Sequence, residues 1–453
     1  MENSGNHSVF NFFQSNTAKM MMVGLLTLIL LIPLEFVKNL ITERSQRQQE
    51  VITEINDKWG ESVFIYGPIL KVPYTYYEET VSINEKTKET VKQRKAYTNF
   101  AYFFPEELKV KSKVTTKLLN RNNYESVVFS SKMKFEGHYI QPDFSSKEIA
   151  NEDIQWNKAT ILIQTTNLKS IKEEVKINFG NTKFTFEPVY ETSSKDNTEA
   201  LETGYIDLGK ILNNGKTSFG FDITYNGSQQ IKMVPIGKTT QANMESNWAS
   251  PSFTGNFLPD DKTKKISDNG FVANWKILHI NRSFSQQIFN DLPDLRQYAF
   301  GVDFVIPVNQ YQQNIRASKY GFMVIGLTFL IFFLIQSISK IKIHIFQYSM
   351  IGLALIMFYT LLISITEHSS FMKAYIISGI AVISLITLYS FAILKNRKFP
   401  MFIGVSLSSL YTFLYVIIQL ENYALLVGSI GLFAILAAVM YFSRKIDWNN
   451  SNS

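Results

Sequence analysis

Five ionisable side chains near the ends of apolar segments are chemically the most suggestive residues of this chain. They are Glu35, Glu367, His368, Lys373 and Glu421, and the topology derived below places them at the outer membrane face. Charges are costly in lipid, so ionisable groups beside membrane spans are functional candidates by default. Side chains at helix ends can also reach water. Three roles therefore stay open: ion pairs that fasten a β-rich domain to the helices, which we favour, a ligand or regulatory site, and proton transfer.

Motifs for metal binding or catalysis are missing from the sequence. It has no cysteine, and its five histidines show neither HxH nor HExxH spacing. It also has no GxSxG motif and no Walker-type loop. We therefore predict no catalytic residues, no metal and no cofactor. Long polybasic tracts are absent too, which argues against nucleic acid as a partner.

Six apolar runs predict six membrane-spanning helices. One run covers 20–37, and five more lie between 320 and 442. A helix needs about 20 apolar residues to cross a bilayer, and each run is long enough. No small-residue cleavage site follows the first run. We therefore expect an uncleaved signal anchor.

Positive charge in the short loops predicts the orientation of these helices. Basic residues collect in the turns 339–346 and 395–398 and in the C-terminal tail, whereas the alternate turns carry more acids than bases. Short basic loops stay in the cytoplasm. We therefore expect both termini inside and the long region between the first two spans outside.

The chain then divides into five predicted segments. They are a cytoplasmic tail (1–19), a signal-anchor helix (20–37), a periplasmic β-rich domain (38–319), a five-helix bundle (320–442) and a cytoplasmic tail (443–453). The predicted fold class is an α-helical integral membrane protein with a large inserted β-rich domain. Mid-span ionisable residues are absent, which weakens but does not remove the alternative of a transporter.

The predicted periplasmic domain begins with a helix and continues as β structure. Residues 40–57 are mostly polar, so the first span is expected to continue as a polar helix whose apolar positions are Ile41, Val51 and Ile55. Twelve short runs between 62 and 308 show strand patterns. Many short strands separated by turns predict a sandwich or a barrel-like sheet.

Other residues carry structural predictions. Gly67-Pro68 and Gly255 are expected to form turns, and Trp248 and Trp275 to anchor the core. Small residues in the last span predict close helix packing, while the oligomeric state stays open. Aromatic residues near span ends predict an interfacial belt; they include Tyr320, Tyr375, Tyr411, Tyr423 and Trp448.

Several short motifs together resemble one family. They include Gly67-Pro-Ile-Leu-Lys-Val-Pro-Tyr74, Pro251-Ser-Phe-Thr-Gly-x-Phe-Leu-Pro259, Gly270-Phe-x-Ala-x-Trp275, Asn281-Arg282 and Gly301-Val-Asp-Phe304. These motifs, in order and with matching spacing from Phe12 to Trp448, resemble the CreD family of bacterial inner-membrane, cell-envelope-integrity proteins. The chain departs from the family pattern at Gln336, Ile345 and Asn422.

The resemblance implies a protein connected with envelope stress, and it implies no particular reaction. The sequence is therefore interpreted as that of a non-enzymatic protein of the bacterial inner membrane. We expect its periplasmic domain to contact an envelope protein, glycan or lipid. A small-molecule or lipid transporter is the alternative, and a membrane-embedded hydrolase is a more distant one.

Overall fold

A computed structural model describes residues 16–83, 90–121, 124–189, 199–212, 215–306, 310–339, 341–394, 397–420 and 423–444. The chain forms two compact units. The helical unit comprises 1–50 and 308–453, and the β unit comprises 51–307. The β unit is shorter than the predicted domain 38–319, because the predicted limits mark where the chain leaves the lipid and the limits of the units mark where the packing contacts change.

Eight α-helices lie in the described part of the chain, and six of them are long and apolar enough to cross a membrane. The six are α1 and α4–α8, which confirms the predicted number of spans. The helices are α1 (Asn16–Trp59), α2 (Leu208–Ile211), α3 (Gln310–Lys319), α4 (Gly321–Ser339), α5 (Ile345–Thr366), α6 (Phe371–Ile393), α7 (Lys398–Gln419) and α8 (Ala424–Ser443).

Helix α1 continues well beyond its apolar run, as predicted. Its polar continuation keeps Ile41, Val51 and Ile55 buried while most neighbouring side chains are exposed. One buried stripe on an otherwise polar helix is typical of a helix that packs along one face. The prediction of a polar helical extension is therefore confirmed.

Helix α5 lies at the centre of the helical unit. It packs against α4 and α6 and approaches α1 at Gly352. A Cβ atom at Gly352 would lie 2.2 Å from Leu30 Cδ1, so any larger residue there would force the Leu30 side chain to move. Helix α8 differs from the other spans, because none of its described residues is buried.

The β unit contains sixteen strands among the described residues. They are β1 (Val63–Ile83), β2 (Thr90–Phe103), β3 (Glu107–Arg121), β4 (Tyr124–Ile140), β5 (Thr160–Thr165), β6 (Lys176–Phe179), β7 (Thr182–Val189), β8 (Glu199–Thr203), β9 (Lys216–Ser228), β10 (Gln230–Met233), β11 (Thr239–Ser246), β12 (Pro251–Gly255), β13 (Lys265–Ser267), β14 (Gly270–Leu278), β15 (Gln287–Phe289) and β16 (Phe300–Phe304).

These strands form two sheets joined through β7. The first has the order β12-β16-β10-β1-β5-β8-β7, and β2 pairs with β1 while β15 pairs with β2. The second has the order β7-β6-β9-β4-β3-β11-β14-β13. Residues 182–185 of β7 pair with β6, and residues 186–189 pair with β8. The pairs β1–β10 and β3–β11 are parallel. A strand that changes sheets forms a corner between them.

The two sheets share one aromatic core. The ring centroids of Phe129 on β4 and Phe304 on β16 are 5.1 Å apart, and those of Trp275 on β14 and Phe300 on β16 are 5.3 Å apart. These rings come from opposite sheets, so the sheets face each other as in a sandwich. The β-rich domain predicted from the sequence is confirmed, its sheet is mixed, and Trp275 anchors its core.

Two sequence predictions about turns have different outcomes. Gly67 and Pro68 do not connect two strands; they lie within β1, where its register with β5 shifts between Tyr66 and Ile69. Two predicted strands therefore form one. Gly255 ends β12 with φ +97°, a left-handed conformation that favours glycine.

Candidate functional site

The predicted polar residues at the helix ends form separate contacts. Glu367 directly follows α5, and its Oε1 atom lies 3.5 Å from Nε of Arg44 on α1. The Glu367 side chain is 23% exposed and that of Arg44 is 45% exposed. A pair with this much water access contributes about 0–1 kcal/mol. Sequence analysis did not assign Arg44 to the site. The predicted polar extension of α1, which contains Arg44, could have indicated a partner for Glu367.

The other residues of this set do not pair with Glu367. Glu35 forms an ion pair with Lys38 along α1, at 3.1 Å. His368 and Lys373 are exposed, and neither forms an ion pair with a residue that the structure describes. Glu421 lies outside the described residues. The structure thus brings together Arg44 with Glu367 and Glu35 with Lys38.

A group of aromatic side chains forms a more compact site inside the helical unit. The ring of Phe358 on α5 lies 5.0 Å from Tyr359, 5.3 Å from Tyr375 on α6 and 4.6 Å from Tyr411 on α7. Tyr375 also lies 5.2 Å from Tyr415 on α7. We call these four tyrosines the tyrosine cluster. It joins three membrane-spanning helices around one phenylalanine.

Several polar groups in and near the tyrosine cluster lack a partner within the protein. The Tyr375 hydroxyl donates a hydrogen bond of 2.8 Å to the Tyr411 carbonyl. By contrast, the buried hydroxyls of Tyr359, Tyr411 and Ser378 have no hydrogen-bond partner among the described residues. A buried hydroxyl without a partner costs about 1–3 kcal/mol. These hydroxyls can therefore bind a small polar group, whereas the cluster itself contains no carboxylate or imidazole.

The tyrosine cluster corrects the prediction for two interfacial residues. Tyr375 and Tyr411 were expected in an aromatic belt at the membrane surface, but they are 5% and 3% exposed. Tyr411 lies eight residues before the end of α7, about 12 Å along the helix. For Tyr411 this distance could have indicated from the sequence that the residue is not interfacial, because a belt residue should lie within about one turn of the helix end.

Two further polar contacts, one buried and one exposed, link helices of the same unit. The Tyr348 hydroxyl on α5 donates a 2.9 Å hydrogen bond to Gln336 Oε1 on α4. Gln313 of α3 bonds to Gln419 at the end of α7, at 3.3 Å. Asn314 of α3 is fully buried, and its Oδ1 atom has no partner in the described part of the chain. The contact between Gln313 and Gln419 connects the short helix α3 to a span.

Among the described residues of the β unit, Arg282 is the one buried cation, with 6% of its surface exposed. Its guanidinium donates to the carbonyls of Phe284 and Ile236, both at 3.0 Å, and to Gln286 Oε1 at 2.6 Å. Burial lowers the pKa of Arg282 to about 10. A third backbone carbonyl, that of Gly237, accepts at 3.3 Å. All four acceptors are neutral, so this arrangement ties loops together.

The strands β1 and β2 continue as a two-stranded ribbon beyond the rest of the first sheet. Residues 75–83 pair with 90–98, and in this part of the described chain neither strand has another backbone partner along its length. Tyr76 and Tyr97 lie directly opposite each other and are 53% and 39% exposed. Lys95 Nζ lies 5.1 Å from the centroid of the Tyr97 ring. The ribbon thus presents two exposed tyrosine rings on one face, together with Lys95 and the directly opposite Glu78.

Metal-binding side chains do not gather in the described ranges. No group of three or more His, Cys, Asp or Glu residues there could hold an ion. His138 is the histidine closest to an acid, with Nδ1 3.7 Å from Glu107 Oε2 on the neighbouring strand. The arrangements described above can bind polar or aromatic groups, and none of them has the form of a metal centre.

Comparisons with known proteins give a likeness along nearly the whole chain. The family model described as "Inner membrane protein CreD" matches residues 15–449. The chain is 27% identical over 423 residues to the inner membrane protein CreD of Escherichia coli (strain K12), a match that covers 93% of this chain and 91% of that protein. Both the helical unit and the β unit fall within these matches.

Proposed function

Because the chain belongs to the CreD family of inner membrane proteins, we propose that it supports the integrity of the cell envelope or the response to envelope stress. In this proposal the helices hold the protein in the inner membrane, with both termini in the cytoplasm. The β unit faces the periplasm and contacts an envelope component. The non-enzymatic character of the proposal rests on the sequence, which lacks recognisable catalytic motifs.

The observation that carries this proposal is the exposed face of the β1–β2 ribbon. A two-stranded ribbon without a covering layer is marginally stable by itself. Tyrosines placed on it therefore contribute little to a core, and Tyr76 and Tyr97 leave much of their area open to solvent. Tyrosine suits an interface because its ring provides contact area and its hydroxyl a hydrogen bond. Lys95 and the opposite Glu78 add charged groups of both signs beside the same rings.

The test is complementation of a strain that lacks the protein. Cells with Tyr76→Ala and Tyr97→Ala together should be more sensitive to detergent and chelator than cells with the native chain. Tyr205→Ala is the matched control, because Tyr205 is 71% exposed elsewhere in the β unit. A photo-crosslinking residue at Tyr97, but not at Tyr205, should capture the envelope component.

A larger replacement tests the whole proposal. Exchanging residues 39–316 for an unrelated periplasmic domain should remove the protective effect while the protein stays in the membrane. Normal growth of that strain under envelope stress would contradict the proposed role of the β unit. Equal sensitivity of the Tyr76/Tyr97 variant and the Tyr205 variant would contradict the role of the ribbon alone.

A transporter of small molecules or lipids is the second candidate, favoured by the tyrosine cluster. Unpaired hydroxyls of Tyr359, Tyr411 and Ser378 lie between spans, where a polar solute could bind. Against this candidate, the described spans contain no buried charged side chain of the kind that usually couples transport to an ion gradient. Uptake by liposomes that contain the purified protein, reduced by Tyr411→Phe, would place this function ahead of the first.

A further inference from the structure

An apolar cleft lies within the helical unit, between α4, α7 and α8. Its volume is about 910 Å³, which is within the range of small-molecule sites. Each of the three helices supplies part of its wall, with Leu330 and Leu334 on α4, Phe402 and Val405 on α7, and Ala434 and Ala438 on α8. The cleft is separate from the tyrosine cluster and from the ribbon described above.

The cleft exists because α7 and α8 touch at one end and diverge towards the other. A Cβ atom at Gly431 would lie 2.0 Å from the Phe413 ring, and one at Gly428 would lie 3.9 Å from Ile417. Beyond Gly431 the lining continues to Lys398 on α7 and to Phe442 on α8. Gly431 packs closely, as predicted, whereas at Gly428 a Cβ atom would make only an ordinary contact. Ala434 and Ala438, which were also expected in helix contacts, line the cleft instead.

The dimensions of the cleft suit the hydrocarbon part of a phospholipid. Its lining on α7 extends from Lys398 to Phe413, about 22 Å at 1.5 Å per residue. One leaflet contributes half of the ~30 Å hydrocarbon core of a bilayer. An acyl chain that enters beside Lys398 can therefore reach the closed end near Gly431. Three helices surround it there, whereas an ordinary boundary lipid contacts one face of a protein.

The charges around the cleft favour an anionic headgroup. Lys398 lines the cleft, Arg397 precedes it, and Arg444 follows the last residue of α8 with its guanidinium 4.2 Å from the Tyr441 ring. The sequences of α4, α7 and α8 contain no Asp or Glu. Basic pockets between spans on the cytoplasmic side bind anionic lipid headgroups, and the predicted orientation places Lys398 on that side.

We propose that this cleft binds an anionic phospholipid, with its acyl chains between α4, α7 and α8 and its phosphate beside Lys398. The binding stabilises α8, which otherwise has no buried residue. This site is independent of the proposed contact between the β unit and the envelope. Both proposals use the predicted orientation, but a failure of the contact between the β unit and the envelope leaves the lipid site unchanged.

The test is native mass spectrometry of the full-length protein in mild detergent. The protein is titrated with phosphatidylglycerol and with phosphatidylcholine of identical acyl chains, and the retained lipid is counted. We expect phosphatidylglycerol to be retained about fivefold more strongly, the effect of one cation near a membrane surface. Equal retention of the two lipids by the native protein would overturn the proposal.

Two pairs of variants separate specific binding from boundary lipid. Lys398→Gln should abolish the preference for phosphatidylglycerol. Lys342 is an exposed loop residue that does not line the cleft, so Lys342→Gln should keep the preference. Ala434→Trp should fill the cleft and lower retention of both lipids. Ala437→Trp makes the same change on a residue outside the cleft lining and should retain lipid like the native chain. Identical behaviour within either pair would overturn the proposal.

Discussion

Replacing Arg282 by methionine should destabilise the β unit more than any exposed charge substitution. The guanidinium is 6% exposed and donates to the carbonyls of Phe284 and Ile236 and to the side chain of Gln286. Methionine fills a similar volume but donates no hydrogen bond. The Ile236 carbonyl keeps only a long 3.4 Å contact from Gln286 Nε2. The other two acceptors lose their arginine donor altogether.

The expected loss is about 3–5 kcal/mol. Each buried acceptor without a donor costs about 1–3 kcal/mol, and two to three acceptors are affected. The loss of a cation that is itself unfavourably buried offsets a small part of this, since burial lowers its pKa to about 10. Arg282→Lys should lie between the native chain and Arg282→Met, because an ammonium group keeps the charge but reaches fewer acceptors.

Urea denaturation of the full-length protein in detergent measures this loss. Tryptophan fluorescence reports on the β unit, because Trp156, Trp248 and Trp275 lie in it. Arg296→Met is the matched control: Arg296 pairs with Asp294 near the surface, so its removal should cost about 0–1 kcal/mol. A loss below about 1 kcal/mol for Arg282→Met would refute the reasoning.

Three further predictions test other parts of the structure. A cysteine at Ser370 should react with an impermeant thiol reagent from the periplasmic side and one at Asn396 should not; labelling of Asn396 from outside would reverse the predicted orientation. A hydrogen bond from Lys109 lowers the pKa of Glu107, so folding is stabilised at pH values above the ordinary carboxyl pKa and this contribution is lost as the pH falls through the lowered value. Lys109→Met should raise the Glu107 pKa in an NMR titration, and an unchanged value would contradict the contact. Gly431→Leu should destabilise the protein by about 1–3 kcal/mol, because the leucine overpacks against the Phe413 ring on α7, and should therefore lower the thermal midpoint. An unchanged midpoint would show that α7 and α8 are not in contact there.

The spans were predictable because lipid imposes one simple requirement. A helix that crosses a bilayer needs about 20 apolar residues, and hydropathy along the chain shows such runs directly. The polar extension of α1 was predictable as well, since Ile41, Val51 and Ile55 repeat on one helical face. Local patterns suffice for both.

Several strands were harder to predict because their inward side chains are small or polar. Strand β11 alternates buried and exposed residues, but Thr240 and Ser246 are among the buried ones. The amino-acid types of β11 therefore do not reveal its alternation of buried and exposed positions. Strand β1 was predicted as two strands, since Gly67-Pro68 resembles a turn. Strand β5 pairs with β1 on both sides of this dipeptide and keeps the strand continuous. Tertiary contacts decide both cases.

The candidate sites depended on contacts that spacing does not show. The sequence identified ionisable residues near helix ends, yet the pairing of Arg44 with Glu367 joins residues far apart in the chain. The tyrosine cluster was missed because tyrosines near spans are common at the membrane surface. Only the packing of α5, α6 and α7 around Phe358 distinguishes buried tyrosines from interfacial ones.

The parallel pairings of the β unit bear on how the protein is made. Val63 of β1 pairs with Ile231 of β10, and Glu107 of β3 pairs with Thr239 of β11. In the proposed orientation the β unit is translocated, and β1 and β3 then emerge well before β10 and β11, each with one backbone edge still unpaired. Contacts this distant in the chain slow folding, and unpaired edges invite association with other chains. We expect a nascent β unit to require protection until β11 has crossed, so periplasmic chaperones would influence how much protein accumulates.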